Sequence, residues 1–306
     1  MGCLMRFLRS FRLGGLLIAV LAVFAFGITA CSNDESESSG DITLMNVDVA
    51  KVDDIAALVP QQIRDSGQLI VGVNVPYSPN EFKDAQGNII GYDVNLMNAV
   101  AKVLGLTPVY KEADFDKIIP AIQQGTYNVG MSSFTDSKER EQQVDFVTYY
   151  SAGVQWAQRK GSGIDPNNAC GKKVAVQATT VEDTDEVPAK SKACTDAGKP
   201  AIEKVKFDSQ DEATNALVVG KVDAMSADSP VTAYAIKKSD GALENAGGVF
   251  DSAPYGYPVQ KGSSLGPALQ KAVQYLIDNG QYKAIAEHWG VQAGVIPNSV
   301  INGAIS

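Results

Sequence analysis

The sequence has few of the residues on which enzymes and nucleic-acid-binding proteins commonly depend. Its 306 residues include one histidine, His288, so a catalytic triad or a histidine-rich metal site has only that imidazole available. Lysine and arginine number 26 against 35 acidic residues, which gives a net charge of −9. Because binding to nucleic acid requires a basic surface, this balance argues against a nucleic-acid partner.

Long apolar runs are also absent, except for one at residues 13–28 that follows three arginines. This is the order of a secretory signal peptide. The run ends at Ile-Thr-Ala-Cys31, which resembles the lipobox of bacterial lipoproteins. The resemblance implies that residues 1–30 are removed as a lipoprotein signal peptide and that Cys31 carries lipid. The alternative is a permanent membrane anchor, because 16 apolar residues approach the length that spans a bilayer.

The residues after Cys31 are polar and acidic, beginning SNDESESSGD at residues 32–41. This composition is typical of flexible segments, so residues 31–52 are predicted to form an acidic tether. The protein is therefore expected to be exported and held by lipid at the outer face of the bacterial cell membrane.

Cysteine is scarce, with four in the chain, and one of them, Cys3, would leave with the signal peptide. If Cys31 carries lipid, Cys170 and Cys194 remain, and we predict that they form a disulfide, as an oxidising compartment allows. A metal site is the alternative, but the chain has no closely spaced cysteine pair to support it. No metal or cofactor is expected.

Two parts of the chain alternate between strand-like and helix-like patterns. The first begins with a β-branched strand at residues 68–75 and an amphipathic helix at 92–104. The second has strands predicted at 173–177, 201–207 and 222–227, with helical segments between them. This rhythm is typical of an α/β fold, in which helices cover both faces of a sheet.

Extended segments at residues 153–160 and 250–260 are predicted to connect these two parts, and the helices at 265–289 to return to the first part. Two connecting strands make a hinge, and the space between the lobes forms a cleft.

Seven stretches, in this order and at this spacing, resemble the bacterial extracellular solute-binding proteins of family 3, the substrate-binding lipoproteins of polar amino-acid ABC transporters. They are LIVGVNVPYSPNEF (69–82), IIGYDVNLMNAVAKVLG (89–105), FDKIIPAIQQGTYNVGMSS (115–133), SKEREQQVDFVTYY (137–150), GKKVAVQATT (171–180), GKVDAMSADSPVTAY (220–234) and QYKAIAEHWG (281–290). The resemblance implies a two-lobed, type II periplasmic-binding-protein-like fold. Its first lobe would comprise residues 53–155 and 257–306, and its second lobe residues 156–256. It also implies a monomer that serves an ABC importer permease.

The family resemblance implies that Arg140 binds the carboxylate of the ligand. In the family, the ligand-binding arginine follows a Ser/Thr-rich strand end, as Arg140 does here. A guanidinium binds a carboxylate with two parallel hydrogen bonds. Without the resemblance, Arg140 could belong to a charged helix face. Thr135 and the helix start near Thr180 would donate to the same carboxylate. The family usually has glycine where Thr179 stands, so the register of this turn stays open.

The resemblance assigns the ligand's ammonium group to Asp228, at the end of the strand VDAMSA. The alternative for Asp228 is a helix N-cap before Ser-Pro, a position that aspartate suits well. The carbonyl of Ser133 is a second candidate acceptor, and Ser132 beside it belongs to the same predicted site.

The ligand's side chain is expected to lie between Tyr77 and Phe115, which match aromatic ligand-binding positions of the family and would otherwise pack in the core. Relatives that bind basic amino acids carry an acid where this chain has Asn74. Since an amide offers no countercharge, Asn74 predicts a neutral or acidic ligand rather than a basic one. Gln177 is a further candidate lining residue.

Two other functions are possible on this fold, a dehydratase-like cleft enzyme and a ligand sensor. Catalysis needs an acid or base in the cleft. His288, next to Trp289 in the predicted last helix, is expected to pack or face solvent, and no catalytic residue is predicted. The sequence shows no second membrane segment or signalling domain, so a sensor would need a partner protein.

Overall fold

The computed structural model of the protein describes residues 43–305. The predicted signal peptide, Cys31 and the tether residues before 43 lie outside the described residues. Among the helices of residues 43–305, none is long and apolar enough to cross a membrane.

Strands and helices alternate through most of this range. The strands are β1 (Gln68–Val73), β2 (Phe82–Lys83), β3 (Ile89–Ile90), β4 (Thr107–Glu112), β5 (Val129–Gly130), β6 (Val144–Arg159), β7 (Lys173–Gln177), β8 (Glu203–Phe207), β9 (Ala224–Asp228) and β10 (Leu243–Gln260). The helices are α1 (Asp53–Ala56), α2 (Gln61–Ser66), α3 (Tyr92–Leu104), α4 (Phe115–Gln123), α5 (Lys138–Glu141), α6 (Val187–Asp196), α7 (Gln210–Val218), α8 (Ser229–Lys238), α9 (Leu265–Asp278) and α10 (Gln281–Trp289). A mixed sheet has the order β4-β1-β5-β10-β6-β9-β7-β8, and β2 pairs with β3.

Local sequence sets the ends of several helices. The break between α1 and α2 falls at Pro60, which cannot donate a backbone hydrogen bond inside a helix. Helix α3 ends at Gly105, whose φ of 69° is the left-handed conformation that glycine adopts without steric cost. Helix α7 begins with the predicted capping box, in which the side chains of Ser209 and Glu212 each accept from the other's backbone N–H.

The sheet has two parallel parts joined by two long strands, which confirms the predicted two-lobed α/β fold. In the first lobe β4 and β5 pair parallel to β1, and in the second lobe β8 and β9 pair parallel to β7. Strands β6 and β10 pair antiparallel and run through both lobes. Their register shifts on either side of Phe250. These irregularities mark the crossing between the lobes, where a hinge was predicted.

Separate cores support the two lobes. In the first lobe, α3, α9 and α10 pack on the sheet around residues such as Leu96 and Leu269, both fully buried. In the second lobe, a smaller cluster surrounds Trp156. The lobe boundaries at residues 155/156 and 256/257 fall near the ends of the irregular part of β6 and β10, and they stay a prediction.

The last part of the predicted tether packs against the first lobe. Val47 is buried, and the backbone N–H of Met45 donates to Asn95 Oδ1 at 2.7 Å. Lys102 Nζ donates to the Val47 carbonyl at 2.8 Å. Apolar residues spaced through 45–52 explain this packing. The prediction of a flexible tether missed it, because that prediction rested on the acidic start of the segment.

Candidate functional site

Four predicted site residues lie at the carboxyl ends of strands that face the cleft. Asn74 follows β1, Ser132 follows β5, Gln177 ends β7 and Asp228 ends β9. In α/β sheets this edge is where ligands bind, because the strands end there and the following loops diverge. The two lobes therefore present the same type of edge to one another.

One cavity between the lobes brings all ten predicted binding residues together. The lining residues are Asn74, Tyr77, Phe115, Ser132, Ser133, Thr135, Arg140, Gln177, Thr180, Val181, Glu182 and Asp228. Sequence reasoning missed Val181 and Glu182, which directly follow the turn whose register was left open.

Arg140 extends from the one-turn helix α5 into the cleft. Its Nη1 donates to the carbonyl of Thr135 at 2.9 Å, and its Nη2 donates across the cleft to that of Thr179 at 3.0 Å. The guanidinium carbon lies 5.6 Å from the ring centre of Phe115. Arg140 forms no salt bridge with any residue in the described range, so its charge is available to an anion. It does not belong to a purely solvent-facing charged surface.

Asp228 faces Arg140 from the second lobe and is buried. It occupies the N-cap position of α8, but its side chain makes no capping hydrogen bond, which removes the main alternative role. Instead, Asp228 Oδ2 accepts a hydrogen bond of 2.6 Å from the hydroxyl of Tyr77 in the first lobe. Burial raises the pKa of Asp228 to about 6, while the bond from Tyr77 lowers it. A cation in the cavity would favour the ionised carboxylate.

Two amides meet at another part of the cavity wall. Gln177 Nε2 donates across the cleft to Asn74 Oδ1 at 2.8 Å, and Asn74 Nδ2 donates to the carbonyl of Ala113 at 3.0 Å. The Asn74 backbone N–H donates to Ser132 Oγ at 3.1 Å. Neither amide carries a charge, so this part of the site can read polar groups but supplies no countercharge.

The turn after β7 has an unusual backbone. Thr179 has a φ of 64°, a left-handed conformation in which a β-branched residue is strained. Glycine would fit there without strain, which gives a physical reason for the family's preference. The following segment, Glu182–Glu186, is a π-helix and not the regular α-helix start that was predicted. Thr180 Oγ1 donates to the carbonyl of Gln177 at 2.9 Å.

Glu182 is a second acid on the cavity wall. Its residue is 1% exposed, and its Oε1 has no hydrogen-bond partner in the structure. Burial raises the pKa of Glu182 to about 8, and the nearby Asp228 carboxylate contributes in the same direction. No local pattern indicates that this side chain is buried, because Glu182 lies in the polar run EDTDE.

Two buried acids support the serines beneath the cavity. Ser132 Oγ donates to Glu81 Oε1 at 3.0 Å, and the backbone N–H of Ser133 donates to Asp93 Oδ2 at 3.2 Å. Tyr149 also donates to Asp93 Oδ2. Burial raises the pKa of both acids, that of Asp93 to about 7. These contacts hold the serine pair in place, with Ser133 at a left-handed φ of 50°.

The remaining sequence predictions concern residues outside the cavity. Cys170 and Cys194 form a disulfide in the second lobe, with Cα atoms 5.5 Å apart. His288 is exposed, and its Nε2 lies 2.7 Å from the carbonyl oxygen of Thr43. Within residues 43–305, no group of three or more His, Cys, Asp or Glu side chains is placed to hold a metal ion.

Known proteins are similar to this chain in both sequence and fold. The arginine-binding protein ArgT of Corynebacterium glutamicum is 40% identical over 280 residues, which cover 91% of this chain and 92% of ArgT. The structure of an ancestral arginine-binding protein bound to arginine superposes with a TM-score of 0.67 at 36% identity, covering 73% of this chain and 98% of that one. The corresponding structure bound to glutamine has a TM-score of 0.67 at 35% identity and covers 74% and 98% of the two chains.

A family model supports the same relationship. Residues 69–292 match the model of the bacterial extracellular solute-binding proteins, family 3. This range contains every residue that lines the cavity. The chain therefore belongs to the bacterial extracellular solute-binding proteins of family 3, as its sequence resemblance predicted.

Proposed function

We propose that this protein captures a free α-amino acid in its cleft and delivers it to the permease of an ABC importer. The observation that carries this proposal is that Arg140 and Asp228, from different lobes, line one buried cavity. An amino acid presents a carboxylate and an ammonium group a short distance apart. Arg140 and Asp228 carry the charges opposite to those of these two groups, and buried charges need such partners.

Arginine is the first ligand to test. The relative that is 40% identical is named an arginine-binding protein, and a similar structure contains arginine. These relatives argue against the neutral or acidic ligand class that Asn74 predicts. Glutamine is the second candidate, because an ancestral arginine-binding protein also binds it and because Asn74 and Gln177 offer amide partners.

Binding would proceed by closure about β6 and β10. The ligand would first contact the first lobe through Arg140 and the aromatic side chains. Closure would then bring Asp228 and the Thr180 turn onto it, as the hydrogen bonds across the cleft from Tyr77 and Arg140 indicate. The closed lobes would present a surface that the permease distinguishes from the open form.

Isothermal titration of the purified protein, after unfolding and refolding to remove co-purified ligand, tests the function. Arginine, lysine, glutamine and glutamate would be titrated separately. Arginine is expected to bind tightest. Tightest binding of glutamine would support the second candidate, and tightest binding of either glutamine or glutamate would agree with the neutral or acidic ligand class that Asn74 predicts. No binding by any of these or the other common amino acids would refute amino-acid capture.

Lipid attachment at Cys31 is part of the proposal, supported by the lipobox resemblance. It would hold the protein, as a monomer with a complete site in one chain, beside its permease. Cys31→Ser should abolish the incorporation of labelled fatty acid into the protein, whereas Cys3→Ser should not. Label incorporated into the Cys31→Ser protein at the wild-type level would contradict lipid attachment at that residue. We propose no catalytic role, since His288 is exposed and outside the cavity lining.

A further inference from the structure

Glu182 differs from the two other buried acids of its own segment, Asp183 and Glu186, in forming no salt bridge within the described range. Asp183 pairs with Lys204 at 2.7 Å, and Glu186 lies 3.9 Å from Lys190. Glu186 also accepts from Trp156 Nε1 at 3.1 Å. Glu182 takes part in no salt bridge of the described range, although its residue is almost completely buried.

The charges that line the cavity are unbalanced by one acid. Arg140, Asp228 and Glu182 are the charged residues among its described lining residues. A zwitterionic amino acid would use Arg140 for its carboxylate and Asp228 for its ammonium group. Glu182 then remains, with Oε1 unpartnered beside the ligand space. The Arg140 charge attracts Glu182, but Arg140 is neutralised when it binds the ligand's carboxylate. A buried carboxylate without a countercharge is costly, so Glu182 must then be protonated or meet a cation.

We propose that Glu182 is the countercharge for a cationic ligand side chain and makes the cleft select amino acids of net charge +1. This inference rests on the proposed amino-acid capture. A ligand of net charge +1 neutralises the cavity, whereas a neutral ligand leaves Glu182 uncompensated and an acidic ligand adds repulsion. Burial already favours the protonated acid, so a cationic side chain would displace that proton by stabilising the carboxylate.

The position of Glu182 also accounts for the neutral Asn74. The countercharge comes from the second lobe, so the first lobe needs none. Charge selection would then operate at closure, when Glu182 approaches a ligand already held by the first lobe. Neutral analogues of the same shape would occupy the first lobe but gain less from closing.

Arginine and citrulline test this proposal in one titration series, because citrulline has nearly the same shape but an uncharged side chain. The wild-type protein should bind arginine at least about thirtyfold more tightly than citrulline, as expected for removing one partner of a buried charge pair. Glu182→Gln should reduce this ratio to below about threefold, mainly through weaker arginine binding. Glu186→Gln, one turn further along and outside the cavity lining, should retain most of the ratio.

The outcomes separate the two proposals. Loss of the ratio in Glu182→Gln but not in Glu186→Gln supports the assignment. An unchanged ratio in Glu182→Gln, or a wild-type protein that binds citrulline as well as arginine, overturns it while leaving amino-acid capture intact. A low ratio in the wild type overturns the proposal even if Glu182→Gln does not fold. Glu182→Asp then provides the second variant, with an intermediate ratio expected. Absence of any amino-acid binding by the wild type is instead a failure of the proposed function.

Discussion

Replacement of Arg140 by alanine is the prediction with the largest expected effect on binding. The Arg140 guanidinium lies in the cleft, stacked near Phe115, and donates to backbone carbonyls of both lobes. Each of its two terminal nitrogens has a second N–H, so the same guanidinium can also donate to a ligand carboxylate. Two hydrogen bonds to a charged group contribute about 1.5–3 kcal/mol each. Their combined loss should therefore weaken binding by about 3–6 kcal/mol, or roughly two to four orders of magnitude in Kd.

Titration calorimetry with the wild type's tightest ligand measures this change. Arg140→Lys keeps the charge but loses the planar fork, so an intermediate loss is expected. Arg64→Ala is the matched control, because Arg64 also donates to two backbone carbonyls, those of Ala57 and Val59, but lies outside the cavity lining. Its Kd should equal that of the wild type. A Kd for Arg140→Ala within threefold of wild type would refute the assignment of the carboxylate to Arg140.

Three further predictions concern stability. Thr179→Gly should raise the melting temperature by a few degrees, since it relieves about 1 kcal/mol of strain at a positive φ, and a lower temperature would show that the Thr179 side chain matters more than the strain. Without ligand, the free energy of unfolding should fall from pH 5 to 8. Burial raises the pKa of acids such as Asp93, to about 7, and Glu182, to about 8, so the folded state holds protons that the unfolded chain releases. Melting curves recorded across this pH range test the prediction, and a stability that rises with pH would contradict it. Replacing Cys170 and Cys194 by alanine should cost about 3 kcal/mol of stability on the loop-entropy model and leave ligand affinity unchanged, since neither lines the cavity. An unchanged melting temperature would show that the disulfide does not stabilise the fold.

Local patterns were sufficient to predict much of the fold. β-branched runs indicated β1 and β7, and Ser209 with Glu212 indicated the start of α7. These signals depend on residues close together in sequence, so one chain is enough to read them. The π-helix at Glu182–Glu186 has no such signal. Its polar sequence resembles an ordinary exposed helix start, and only packing in the second lobe determines which of its acids are buried.

The structure brings the predicted site residues to one cavity, but the prediction did not include the second acid there, Glu182. Asn74 was interpreted alone, as though the countercharge had to occupy that position. The structure shows that a carboxylate can enter the same cavity from the other lobe, as Glu182 does. Asn74 and Glu182 are far apart in the sequence, so the sequence does not show that they line the same cavity. Their placement depends on how the lobes meet, which no local pattern reports.

A crystal structure of the protein with arginine bound tests the central claim most directly. The account predicts the ligand carboxylate at hydrogen-bond distance, about 3 Å, from both terminal nitrogens of Arg140, and the ligand ammonium at a similar distance from Asp228. A ligand in the reverse orientation, or one bound outside the cavity between the lobes, would contradict the account.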